Sequence, residues 1–192
     1  MDKRFCKNGF SEACRLTVFG TAISLAGWCF EVVGRYAVYG VLADRGFVTL
    51  PLCPIYGITL IATYLFFGTP SRPKALFRQL RTSRTILRYA LYFISVTVFS
   101  TAVELLTALV FTSFGVQLWT YHEQPFNLFG VVCLGYSLLW GVLITAFMGF
   151  VWERAYAVIK KIPAKAVISV GVSLGVAISM DFLINFVITV AK

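Results

Sequence analysis

Charge is scarce in this sequence: 13% of the 192 residues are charged, whereas 59% are hydrophobic. Soluble domains carry about a quarter of charged residues to cover their surface, so a water-soluble globule is excluded. Histidine is nearly absent, with His122 alone in a loop. The five cysteines (Cys6, Cys14, Cys29, Cys53 and Cys133) show neither a CxxC pair nor a metal-ligand spacing. They read as small apolar filler. No Ser-His-Asp, Cys-His or metalloprotease pattern is present, so no catalytic residue, metal site or cofactor is expected. Acids are also few, 8 against 17 lysines and arginines, for a net charge of +9. That balance raises the question of nucleic acid. The basic residues, however, sit between apolar runs rather than on one soluble face, so nucleic acid is excluded as a partner.

What the chain does have is long apolar runs without period-two alternation, which excludes a membrane β-barrel and predicts spanning helices. The runs cover residues 16–39, 50–68, 89–114, 130–152 and 166–191. The expected fold is therefore an all-α integral membrane protein of five transmembrane helices, a single membrane domain over residues 1–192. Residues 69–88 form a basic cytoplasmic loop and residues 115–129 an aromatic outer loop. The first run resembles a signal peptide but is too long for one and lacks a cleavage site, so it reads as a retained span. Lys3, Arg4, Lys7 and Arg15 precede it. Arg72, Lys74, Arg78, Arg81, Arg84 and Arg88 lie between spans two and three, and Arg154, Lys160, Lys161 and Lys165 between spans four and five. Arg35, Arg45 and Lys192 fall on the other side, a split of 14 to 3. The positive-inside rule then puts the N-terminus in the cytoplasm and the C-terminus outside. The stretch from Arg72 to Arg88 suits a short surface helix, either holding anionic lipid headgroups at the cytoplasmic face or docking a cytoplasmic ATPase.

Acids inside a hydrocarbon layer are costly and tend to be functional. Glu31, Glu104 and Asp181 each follow a basic residue (Arg15, Arg88, Lys165) by sixteen positions. At 1.5 Å per residue this is about 24 Å up each helix, one layer in the outer half of the membrane. The second span enters near that layer through Pro51-Leu52-Cys53-Pro54-Ile55-Tyr56-Gly57, where Pro51 and Pro54 predict a broken helix. Small residues share a face with each acid. Gly20, Gly27 and Gly34 do so on the first span, and Thr97, Ser100, Thr101, Thr107 and Ala108 on the third. Ser173, Ala177 and Asn185 do so on the fifth, beside Gly171 and Gly175. Each acid has a plainer reading. Glu31 pairs with Arg35 one turn on, and Asp181 bonds Asn185 or water near its helix end. The outer loop, rich in aromatics and free of lysine and arginine, is either an interfacial belt or a lid.

Several blocks carry a family resemblance. They are Gly27-Trp28-Cys29-Phe30-Glu31-Val32, Arg45-Gly46-Phe47, the Pro-Ile-Tyr-Gly block ending at Gly57, and Glu104 with Thr107. To these add Trp119 with Tyr121, Pro125-Phe126-Asn127-Leu128, Gly130, Cys133-Leu134, Ser137 and Trp140-Gly141. Over roughly residues 24–141 the chain resembles the ABC-transporter type IV family, small multi-pass bacterial membrane proteins described as permease-like. Three positions depart from the family pattern: Thr112 replaces an acid, Thr120 an aspartate and Val131 a basic residue. Asp181 then stands as a substitute acid. The resemblance implies a transport protein of the bacterial inner (cytoplasmic) membrane. Combined with the acid layer, it leads to an outer-half cavity lined by Glu31, Glu104, Tyr56, Asn127 and Asp181, with Arg35, Trp119 and Tyr121 beside it, binding a proton or small cation. Five spans leave little room for a path, which implies a homo-oligomer such as a homodimer. Two rivals stay open: an intramembrane enzyme acting on a lipid or lipid-linked substrate, and a non-catalytic assembly or sensor subunit.

Overall fold

The structure is a computed structural model that describes residues 3–42, 46–74 and 84–191, without the side chains of 3–8 and 39. Among the described residues the regular elements are helices and one short hairpin. Helix α1 spans Lys3–Tyr39, reaching well before the first apolar run, and Gly40 ends it in the left-handed region (φ 67°), its N–H bonding the Tyr36 carbonyl. Helix α2 spans Pro54–Phe66. Pro54 therefore opens a helix rather than interrupting one. Its missing N–H is no loss in a first turn, and Pro51 lies in the irregular segment before it. Helix α3 covers Thr85–Ser113. Strands β1 (Asn127–Leu128) and β2 (Val132–Cys133) pair antiparallel, with Asn127 opposite Cys133. Helix α4 runs from Leu134 to Lys160 through a π-helical turn at Phe147–Val151, and helix α5 covers Ala164–Val190 after Pro163. Most of the basic segment predicted as a surface helix, and Arg45 with its neighbours, lie outside the described residues.

Among the described residues four helices are long and apolar enough to cross a membrane: Gly9–Val38, Thr85–Ser113, Leu134–Lys160 and Ala164–Val190. The second expected span is different. Its helix has 13 residues, about 20 Å, and the rest of the apolar run is non-helical. Only 11% of the best α5 window is buried within the protein, so most of this apolar helix is left exposed. Such a surface cannot stay in water and requires a lipid solvent.

The chain divides into two compact units. The first comprises residues 1–61 with 155–192. Here α1 packs along α5, and glycines set the contact distances. A Cβ on Gly171 would sit 2.8–3.0 Å from Cys14. Gly57 of α2 faces the Gly20 carbonyl and Ser24 Oγ, and Gly27 lies under the Tyr56 ring. The glycine stripe of α1 is thus the seat of α2 as far as Gly27. Gly34 faces open space.

The second unit comprises residues 62–154. Gly141 and Gly149 of α4 press on Thr97 and Tyr89 of α3, around the buried Tyr92, Val96, Met148 and Trp152. The turn after α2 is closely tied. Gly68 is left-handed (φ 72°), Tyr92 donates to its carbonyl at 2.8 Å, and Thr69 and Arg72 exchange backbone hydrogen bonds.

Candidate functional site

In the first unit the site starts with a missing side chain. Because Gly27 has no Cβ, the Tyr56 ring lies directly on α1; an added Cβ would come within 2.6 Å of the ring. Cys53 N–H bonds the Ser24 carbonyl at 3.1 Å, which fixes the start of α2 against α1. Tyr56, in the first turn of α2, is thereby aimed along α1, and its hydroxyl donates to Glu31 Oε1 at 2.7 Å. Arg35 lies one turn beyond Glu31 and is half-buried. Phenol and carboxylate are both half-buried on apolar helices, where a hydrogen bond offsets part of the desolvation of the acid.

Asp181 has a different task. Its Oδ2 accepts the Leu50 N–H at 2.9 Å, and Oδ1 accepts Asn185 Nδ2 at 2.9 Å. Asn185 Nδ2 also reaches Thr49 Oγ1 at 3.0 Å. The pair straps the non-helical segment before α2 onto α5, where the Phe47 and Phe182 rings meet at 5.4 Å. The bond to Asn185 follows the plainer sequence reading. The bond to Leu50, 131 residues away, has no sequence signal.

The second unit places its acid beside the hairpin. Glu104 of α3 accepts a hydrogen bond from the Tyr121 hydroxyl at 3.1 Å. The Tyr121 ring stacks on Tyr136 of α4, centroids 4.9 Å apart. Burial pushes the Tyr121 phenol above its ordinary range, and the neighbouring Glu104 charge pushes the same way. The hairpin is locked around Gly130 (φ 69°), which lies against the His122 ring so closely that any side chain would overlap it. Asn127 serves the same loop. Its Nδ2 donates to the His122 and Gln124 carbonyls, and its Oδ1 accepts the Gly130 N–H. Trp119 Nε1 donates to the Val131 carbonyl at 2.8 Å. Asn127 and Trp119 are therefore braces that hold Tyr121 in place.

The predicted residues thus fall into two acid–tyrosine pairs, Glu31 with Tyr56 and Glu104 with Tyr121. Trp119 and Asn127 support the second, and Asp181 is a strap. Pro51 is exposed in the segment that Asp181 holds, and Gly57 is a helix-contact residue. Sequence reasoning missed two further acids. Glu12 accepts the Tyr156 hydroxyl at 2.7 Å, beside Arg15, which donates to the Ile159 carbonyl. Glu153 accepts Thr69 Oγ1 at 3.1 Å and pairs with the exposed Arg72 at 3.3 Å. The available signal was that every glutamate on an apolar helix needs a donor, a criterion that applies to all four. Among the described residues no group of three potential metal ligands comes together.

No curated protein and no solved structure matches the chain. A family model does, over residues 17–186, which takes in Glu31, Glu104, Glu153 and Asp181 but not Glu12, together with Tyr56, Tyr121, Tyr156 and the hairpin. The chain belongs to the family described as "Putative ABC-transporter type IV".

Proposed function

We propose that this membrane protein is a permease-like transport component whose acid–tyrosine pairs bind a proton or a small cation. The reading is carried by one observation: Glu31 and Glu104, half-buried on apolar helices, each accept a tyrosine hydroxyl, at 2.7 and 3.1 Å, as Glu12 does from Tyr156 nearer the start of α1. A phenol can donate to a carboxylate and accept from a carboxylic acid, so the same partner serves both protonation states. The pair can therefore gain or lose a proton, or trade it for a cation, without a stranded buried group. Tyr121 remains a phenol through this exchange, because its own ionisation is suppressed.

The crossing pattern in this proposal has five spans, α2 and the segment before it making the short one, with the N-terminus inside. The cytoplasmic basic residues hold anionic lipid. Family membership supports an ABC-type role, with ATP hydrolysis assigned to a separate cytoplasmic partner. A homo-oligomer in a bacterial inner membrane completes the proposal. The test is flux into proteoliposomes, with a trapped pH dye for protons and labelled rubidium for cations. Glu31→Gln and Glu104→Gln are each expected to reduce flux at least about tenfold, the loss of one charged partner in a desolvated site. Unchanged flux in both variants overturns the acid-site reading.

A further inference from the structure

The groove between the hairpin and the start of α4 belongs to neither acid pair. It is a shallow, open groove of about 410 Å³, its lining side chains exposed on one side. Its walls are chiefly Phe126, Leu134, Tyr136, Leu138 and Leu139, with Gln124 at one side, and the lining holds no Asp, Glu, Lys, Arg or His. Phe126 and Phe129 both adopt left-handed backbone (φ 54° and 55°), a costly conformation for a bulky residue. The result is outward exposure, 82% for Phe126 and 69% for Phe129. The Leu134 N–H bonds the Phe126 carbonyl at 3.3 Å, tying the strained residue to the helix that floors the groove.

Three observations identify the occupant. The floor belongs to a helix apolar enough to cross a membrane, so the groove opens at the boundary of the hydrocarbon layer. The sequence from Tyr89 to Glu153 has no lysine or arginine, so no cationic side chain of that stretch pairs with a phosphate headgroup. The walls are mostly aliphatic and aromatic, with Gln124 the one amide among them. We infer that the groove binds the aliphatic chain of a lipid, or of a lipid-like molecule, from the hairpin-side leaflet. Tyr136 is shared: one of its faces stacks on Tyr121, and its side chain also lines the groove. A bound chain thus reaches the residue that braces the Glu104 partner.

The inference is tested on the full chain in phosphatidylethanolamine/phosphatidylglycerol vesicles, with trifluoromethyl-phenylalanine at position 126 read by fluorine NMR. A nitroxide at the end of the lipid acyl chain is expected to broaden the signal more than an aqueous gadolinium chelate does. Gly135→Leu adds bulk to the groove from a position where a Cβ has open space, with no atom within 4 Å. It is expected to abolish the acyl broadening at an unchanged thermal midpoint. If that midpoint falls, Leu139→Trp fills the same groove from the other wall and is read in the same way. Dominant broadening by the chelate would show a wet groove, and shielding from both agents would show a protein cover. Persistence of the acyl effect after filling would show ordinary boundary lipid. Any of these three results overturns the inference, and none bears on the flux test of the acids.

Discussion

At the scale of single residues, the most informative position is one without a side chain. Gly27 and Gly34 occupy the same stripe of α1, seven residues apart, yet only Gly27 touches anything. Gly27→Ala is expected to destabilise the protein by about 1–3 kcal/mol, because the Tyr56 ring or the helix must move. Gly34→Ala is expected to be neutral or slightly stabilising, by about 0.5–1 kcal/mol, because the helix gains alanine propensity with no clash. Tyr56→Phe removes only the hydroxyl from Glu31 and is expected to cost about 1 kcal/mol. Denaturant unfolding in mixed micelles ranks the three, and a Gly27→Ala variant as stable as Gly34→Ala would contradict the seat. The glycine stripe and Glu31 were both visible in sequence, because helical periodicity places them on one face. The hydrogen bond between Glu31 and Tyr56 was not, since it depends on the crossing of two helices.

At the scale of elements, the four long helices were legible because hydropathy is a one-dimensional signal that needs no partner. The hairpin was not. Phenylalanine rarely takes positive φ, so nothing about Phe126 or Phe129 announces a turn, and only Gly130 fits the usual code. The two prolines marked the right place but not the right form, because a proline that breaks a helix also starts one well. The segment they create depends on Asp181 for a backbone acceptor. Asp181→Leu is expected to speed amide exchange of residues 46–52 roughly tenfold, with the loss of one charge-assisted bond. Asp181→Asn keeps an acceptor and is expected to retain most of the protection. Hydrogen-exchange mass spectrometry in micelles distinguishes this strap from an ion site, where Asn and Leu would leave the segment equally protected.

At the scale of the whole molecule, the decisive question is whether α2 completes a crossing. Its 13 residues cover about 20 Å of a hydrocarbon layer of about 30 Å. The missing 10 Å is within reach of the eight residues 46–53, which extend up to about 3.3 Å each. Non-helical backbone at that depth needs internal partners. Several are present: Cys53 N–H on the Ser24 carbonyl, Leu52 N–H on the Leu50 carbonyl, and Leu50 N–H on Asp181. Charge gives a second criterion. With five crossings the basic residues divide 14 inside and 3 outside. If α2 does not cross, the best orientation is inverted. Lys3, Arg4, Lys7, Arg15 and Lys192 then lie outside and the other 12 inside, a weaker bias that strands the N-terminal cluster. Both arrangements put the C-terminus outside, so a reporter there is uninformative. The N-terminus separates them. A cysteine at Asn8, read against membrane-impermeant maleimide with the native cysteines replaced, is expected to label only after the inner face is opened. Labelling from the outer face would reduce the protein to four crossings and leave α2 as a half-span, held from one side by the glycines of α1.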